Sequence, residues 1–273
     1  MIALTIAGSD SGGGAGIQAD IKTFQELGVF GTSVITALTA QNTVGVHGIF
    51  PTTEAFVEKQ LKAVLEDFNV KTIKTGMLFN SKIIECVAAI LKNRHLPLIV
   101  DPVMIAKGGA SLLQQEAVQS LKNKLLPIAT VCTPNIPEAE IISGIKINSK
   151  EDLLVAANNI ISLGVHCVVL KGGHLAGNKA VDVLFIKGEA PIWLETNRFN
   201  TEHTHGTGCT FSAAITAQVA KGKALKEAVL EAKKFVQLAI SHPLNIGHGY
   251  GPTNHFAYRQ LEGKCDVNVV ESR

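Results

Sequence analysis

The sequence predicts an α/β fold, a mainly parallel sheet with helices on both sides. Short apolar runs of strand length alternate with longer segments of helical period. Several of those runs are apolar without strict alternation, as strands covered on both faces are. No internal repeat, low-complexity tract or Pro/Gly/Ser linker divides the chain, so residues 1–273 are expected to form one domain.

Taken in order, Ile2–Ala7 is the first predicted strand. The glycine-rich turn Gly8-Ser9-Asp10-Ser11-Gly12-Gly13-Gly14-Ala15-Gly16 follows it and leads into a helix containing Gln18 and Asp20. Ser33–Leu38 is the next strand. Phe56, Leu61, Val64, Leu65 and Phe68 then share one helical face, and Ile83, Ile84, Val87, Ile90 and Leu91 share another. Leu96–Val100 and Thr130–Thr133 are strands. Ser149 followed by Asp152 marks a helix start, with Leu153, Ala156, Ala157, Ile160 and Ile161 as its apolar stripe. Cys167–Leu170 and Val181–Ile186 are further strands, and Trp193 falls in another. Two helical segments follow, one running through Phe211–Ala217 and one over Leu225–Ile240.

Composition narrows the function classes. A content of 46% apolar and 18% charged residues belongs to a globular chain with a sizeable core. The formal net charge of +2 comes from scattered Lys and Arg, which does not suggest nucleic acid. Five cysteines without a CxxC pair indicate neither a disulfide framework nor a zinc site. Cys86, Cys132 and Cys167 sit in apolar runs and are expected as buried packing residues. The first residues lack a basic region before an apolar stretch, and no apolar run approaches 18 residues. A cytoplasmic location without membrane contact is expected.

In a sheet of this kind ligands bind beyond the carboxyl ends of the strands. The first glycine-rich turn is not a P-loop and does not match the dinucleotide fingerprint. It serves either to bring backbone against a ligand or simply to make a tight turn. His203-Thr204-His205-Gly206-Thr207-Gly208-Cys209-Thr210 opens a helix of small residues. Its unpaired amides and the helix dipole attract an anion there. Cys209 lies in the first helical turn, a setting that lowers a thiol pKa from about 8.5. The alternative is a packed cysteine beside a glycine cap. Asp101, after a buried strand, requires a partner or a metal. Asn135 and Glu138, three apart at a helix start, suit either a Mg–water–phosphate assembly or plain helix capping. Lys171 ends a strand and either meets phosphate or points to solvent.

With these segments in order, the chain resembles the hydroxymethylpyrimidine/phosphomethylpyrimidine kinases, within the ribokinase-like family related to pyridoxal kinases. The blocks that carry the resemblance are Gly12–Asp20, Ala40–Thr43, Lys74–Met77, Asp101–Met104, Thr133–Ala139, Lys171–His174 and His205–Cys209. They span nearly the whole chain, so no fused thiamine-phosphate synthase domain is expected within it.

The resemblance implies a ribokinase-like three-layer sandwich and an ATP- and Mg2+-dependent phosphotransferase. Such an enzyme phosphorylates 4-amino-5-hydroxymethyl-2-methylpyrimidine to its monophosphate and then to its pyrophosphate, for thiamine diphosphate synthesis. The alternative is a pyridoxal/pyridoxine kinase. By matching position, Gln41, Asp20, Gly8, Met77 and Val103 line the pyrimidine pocket. Gly206, Thr207 and Gly208 form an anion hole, and Cys209 takes the place of the wider family's aspartate base. Asn135, Glu138 and Lys171 serve Mg–ATP, with Asp101 near the metal. A homodimer acting on a small molecule is the implied assembly. Two rivals stand beside this reading. One is a cysteine acyl-transfer enzyme using Cys209 with His205 or His203. The other is a silent small-molecule binder on the same fold.

Overall fold

The structure, a computed structural model, describes residues 1–104, 115–172 and 178–271. The chain opens with strand β1 (Ile2–Asp10), helix α1 (Gly16–Glu26), strands β2 (Phe30–Gln41) and β3 (Val46–Pro51) and helix α2 (Glu54–Asp67). It continues through β4 (Thr72–Thr75), α3 (Ser81–Leu91), β5 (Leu98–Val100), α4 (Gln115–Ser120), β6 (Val131–Cys132), α5 (Ile136–Ser143), α6 (Lys150–Ser162) and β7 (Cys167–Lys171). The last part holds β8 (Lys179–Ile186), β9 (Ile192–Asn197), α7 (Thr207–Ala220), α8 (Leu225–Ser241), α9 (Ala257–Gln260) and β10 (Asn268–Glu271).

The strands form one sheet in the order β10-β9-β8-β7-β6-β5-β4-β1-β2-β3. From β2 through β7 every neighbour runs parallel, and antiparallel strands extend both edges. Successive side chains of a strand point to opposite faces, and the core divides accordingly. Leu4, Ile6, Leu98, Val100, Cys132, Val168 and Leu170 pack on one face with residues of α2, α3, α5 and α6. Ala3, Ile99, Val131, Cys167 and Val169 pack on the other with α1, α7 and α8. Burial on both sides explains why these strands read as continuous apolar runs. Each buried Leu or Ile contributes about 1.5–3 kcal/mol.

Local chemistry sets the helix starts. Ser149 accepts from the Asp152 amide and Asp152 reaches back to Ser149, the capping box expected from the sequence. Thr53 and Asn80 cap α2 and α3 more simply, accepting from the Phe56 and Ile83 amides. Three strands had no clear signature in sequence. β4 reads Thr-Ile-Lys-Thr, and its Lys74 disguises a central strand because the partner charge lies elsewhere in the chain. β3 and β10 are edge strands without a buried face. Cys132 and Cys167 are buried as expected, whereas Cys86 is half-buried and its thiol faces the Glu54 carbonyl at 3.7 Å. Among the described residues no helix is long and apolar enough to cross a membrane.

Candidate active site

The chain runs from β1 outward to β2 and β3, then returns to the other side of β1 at β4. That reversal makes a crevice at the carboxyl ends of the strands. A cavity of about 960 Å³ opens there. Gly8, Asp10, Gln41, Met77, Val103, Asp101, Asn135, Glu138, Lys171 and the turn Gly206–Cys209 all face it. Residues separated by up to two hundred positions thus share one site because parallel strands present all their C-terminal ends on the same side.

The turn before α7 is built around glycine. Gly206 caps the helix at φ +81°, and a Cβ there would lie 1.8 Å from the Gly14 carbonyl oxygen. Only glycine fits that conformation and that contact. The amide and hydroxyl of Thr207 both turn back to the Thr204 carbonyl, at 3.3 and 2.7 Å. Helix geometry leaves the next amides, of Gly208 and Cys209, for an anion. Thr207 thus braces the turn beside the open amides of Gly208 and Cys209. A Cβ on Gly208 would come within 3.3 Å of Lys171 Nζ and 3.6 Å of Asp101 Oδ2, so the glycine lets both charges approach the anion turn.

Lys171 Nζ sits 3.0 Å from Asp101 Oδ1. Burial works against its charge, but Asp101 and Glu138 outweigh it and hold the ammonium above its ordinary pKa. Asp101 also lies 3.5 Å from the Thr133 hydroxyl and 3.2 Å from that of Ser212. Glu138 and Asn135 form a capping box on α5, with Glu138 Oε2 accepting from the Asn135 amide and Asn135 Oδ1 from the Glu138 amide, each at 2.9 Å. Both of the roles weighed for this pair coexist, since the two residues cap a helix and line the cavity. Burial raises the Glu138 pKa, and Asp101 adds to that, while Lys171 opposes it.

Two expectations fail. Asp20 does not line the pocket. It is fully buried, with Lys74 Nζ 2.6 and 2.8 Å from its oxygens and the Thr5 hydroxyl donating at 2.6 Å. A carboxylate on the inner face of α1 is held by the nearest buried cation, which β4 supplies. Burial opposes the charge on Lys74, but Asp20 outweighs it and keeps the ammonium above its ordinary pKa. Nor is Cys209 a ready thiolate. Burial pushes its thiol up to about 11, against the lowering influence of Lys74 and of the Gly16 amide that donates to the sulfur. Asp20 and Asp101 also hold it up.

Sequence reasoning missed Asp10 and Lys74, and it considered His205 only as a base for Cys209. Asp10 Oδ2 lies 2.8 Å from His205 Nε2, and Gln41 Nε2 lies 3.3 Å from the same nitrogen. Asp10 stood at the end of a strand facing a glycine turn, the one signal that could have marked it. Among the described residues no hydrogen bond joins Cys209 to His205 or His203. With a neutral thiol, that removes the geometry of a cysteine acyl-transfer centre.

What the arrangement can do is hold an acceptor near Gln41, Met77 and Cys209 and an anion at Gly208, Cys209 and Lys171. The phosphomethylpyrimidine kinase family model matches residues 10–254. A hydroxymethylpyrimidine/phosphomethylpyrimidine kinase of Haemophilus influenzae is 55% identical, over 94% of this chain and 97% of its own length. One of Bacillus subtilis is 52% identical over 94% and 96%. A solved structure of the pyridoxal kinase from Staphylococcus aureus, in complex with AMP-PCP and pyridoxal, superposes with a TM-score of 0.91 at 39% identity, covering 99% of this chain and 98% of that one. The sheet flanked by helices is thus the ribokinase-like fold of these kinases. A crevice that pairs a glycine-built anion turn with a carboxylate–lysine wall is phosphotransferase chemistry, and the chain belongs to the phosphomethylpyrimidine kinase family.

Proposed function

We propose that this chain, as a single kinase domain over residues 1–273, transfers the γ-phosphoryl group of ATP to the hydroxymethyl group of 4-amino-5-hydroxymethyl-2-methylpyrimidine. A second transfer to that monophosphate gives the pyrophosphate used to build thiamine diphosphate. The observation that carries this reading is the anion turn of Gly208 and Cys209, beside Lys171, in one cavity with Gln41 and Met77. The names of the curated relatives support it.

In this assignment Gln41 reads the aminopyrimidine edge, since an amide offers donor and acceptor together. Met77 fits over the ring because Gly8 lacks a side chain; a Cβ on Gly8 would meet Met77 Cε at 2.3 Å. The alcohol oxygen attacks the terminal phosphorus, and the bond from that phosphorus to the oxygen of the departing ADP breaks. Lys171 and the Gly208 and Cys209 amides stabilise the charge on the moving group. In a loose transition state the attacking oxygen loses its proton late, so most of the acceleration comes from positioning and charge. Cys209 orients the alcohol as a neutral hydrogen-bonding group.

The donor set fits Mg2+. Asp101 and Glu138 offer hard oxygens on the wall that holds Lys171, and Mg2+ is typically bound by one or two carboxylates together with substrate phosphates. When bound it would neutralise phosphate charge; Glu138 and Asn135 would reach it through water. Use of ATP as co-substrate supports a cytoplasmic location. Exposed Leu38 on β2 and Phe50 on β3 support a homodimer.

The pyridoxal-bound neighbour favours a second reading, phosphorylation of pyridoxal in vitamin B6 salvage. A coupled ADP-release assay on hydroxymethylpyrimidine, its monophosphate and pyridoxal decides between them. The pyrimidine is expected to have the higher kcat/KM, with turnover of its monophosphate. Equal or better efficiency on pyridoxal overturns the thiamine assignment.

A further inference from the structure

The Asp10–His205 pair reaches the pocket through Gln41. Asp10 Oδ1 accepts from the Gly12 amide at 2.8 Å, and Oδ2 accepts from the Gly14 and Ala15 amides at 3.1 and 2.8 Å. Burial works against this carboxylate's charge, but His205 and the Ala15 and Gly12 amides outweigh it and keep its pKa below the usual range. A carboxylate only accepts, so the ring nitrogen 2.8 Å away, His205 Nε2, must carry hydrogen. This is true of the neutral ring and of the charged one. The ring packs close to Gly14, where a Cβ would lie 2.5 Å from His205 Cδ2.

That hydrogen decides the orientation of the neighbouring amide. With Gln41 Nε2 at 3.3 Å from His205 Nε2, a donor faces a donor. At the other end Gln41 Oε1 lies 3.2 Å from Thr39 Oγ1. The single hydroxyl hydrogen of Thr39 has two acceptors in reach, the Ser9 carbonyl at 2.9 Å and Gln41 Oε1 at 3.2 Å; given to the shorter contact, it leaves the Thr39 oxygen to accept from an N–H. Half a turn of the amide exchanges two ends of equal size, so that Thr39 accepts from the amide nitrogen and the His205 Nε2 hydrogen is shared between Asp10 Oδ2 and the amide oxygen.

We propose that Asp10, His205 and Thr39 lock the Gln41 amide with its oxygen toward His205 and its nitrogen toward Thr39, fixing the donor–acceptor order that the pocket shows to a heterocycle. One N–H and one lone pair remain for the ligand, in set positions. A ring carrying an amino group beside a ring nitrogen matches both at once. A pyridine whose nitrogen has only carbon substituents beside it matches one. Asp10 and His205 are positioning residues for this recognition, which rests on the assignment of Gln41 to the substrate ring.

Two measurements test the lock. His205→Leu removes the donor, while His205→Gln places an amide N–H near the position of Nε2. His205→Leu is expected to raise KM for the aminopyrimidine about tenfold, the worth of one hydrogen bond. KM for pyridoxal should change little, so discrimination falls about tenfold, and His205→Gln should restore most of it. An equal loss on both substrates, or no recovery with glutamine, overturns the proposal. Nitrogen-15 NMR of the wild-type protein without substrate, with His205 assigned against His205→Gln, should show hydrogen on Nε2. A ring protonated on Nδ1 alone overturns it as well. The NMR result does not depend on which heterocycle is the substrate, so failure of the wild type on the aminopyrimidine would sink the functional assignment and leave the lock standing on that spectrum.

Discussion

At Cys209 two electrostatic influences oppose each other. The helix start, the Gly16 amide and Lys74 favour a thiolate; desolvation and the carboxylates of Asp20 and Asp101 oppose it and prevail. With the thiol at about 11, only about one molecule in a few thousand carries a thiolate at pH 7.5. Alkylation of Cys209 by iodoacetamide should therefore accelerate about tenfold per pH unit from 7.5 to 9.5. Peptide mass spectrometry reads this directly, and a plateau by pH 8 would mean a preformed thiolate. Cys209→Ala should lower turnover by about tenfold to a hundredfold with nucleotide binding retained, and Cys209→Ser should recover part of it. Near-normal turnover of the alanine variant would take Cys209 out of the mechanism. The positions of Gly206, Gly208 and Lys171 at a helix start and a strand end were legible in the sequence, because glycine and lysine there carry local signals. The partners of Asp20 and Asp10 were not, because each lies on a different element.

At the scale of elements, α7 is the hub. It is buried nearly all round, and its hydroxyls find partners inside it: Ser212 bonds back to the Gly208 carbonyl at 3.0 Å and Thr216 to Ser212 at 2.7 Å. Thr210 instead meets His255 Nε2 at 3.0 Å, which fastens the segment before α9 onto this helix. Burial pushes the His255 pKa down to about 4, with Lys22 adding to the effect. The unfolded chain binds a proton there below about pH 6.5 while the folded one does not. Stability from this group is complete above that pH and is lost as pH falls toward 4. At about 1.4 kcal/mol per pKa unit the loss is on the order of 3 kcal/mol. Urea unfolding at pH 7.5, 5.5 and 4 should show it as the difference between wild type and His255→Gln. Parallel pH curves for the two proteins would contradict it.

Over the whole molecule, one sheet carries the acceptor end and the anion end of one cavity on strands that lie well apart in its order. Gln41 ends β2, Lys171 ends β7, and the cavity extends past them to Lys233 and Gln237 on α8. A volume of about 960 Å³ admits a small heterocycle and a nucleotide together. Among the described residues no group is poised as a covalent phosphoryl carrier, so direct transfer is the expected route. Initial-rate plots against ATP and the pyrimidine should give intersecting lines, the signature of a ternary complex. Parallel lines would indicate a phosphorylated enzyme intermediate.

The sequence alone determined the layers, the capping box at Ser149 and Asp152, the glycine turns and the kinase family. Those features depend on period, on hydrogen bonds within four residues and on conformations open only to glycine. Tertiary structure alone decided which charges meet: Asp20 with Lys74, Asp10 with His205, Asp101 with Lys171. It also decided that Cys209 is neutral. Strand order chooses the partner of a buried charge, and the packing around a group sets its desolvation, and neither is written in the residues adjacent to it.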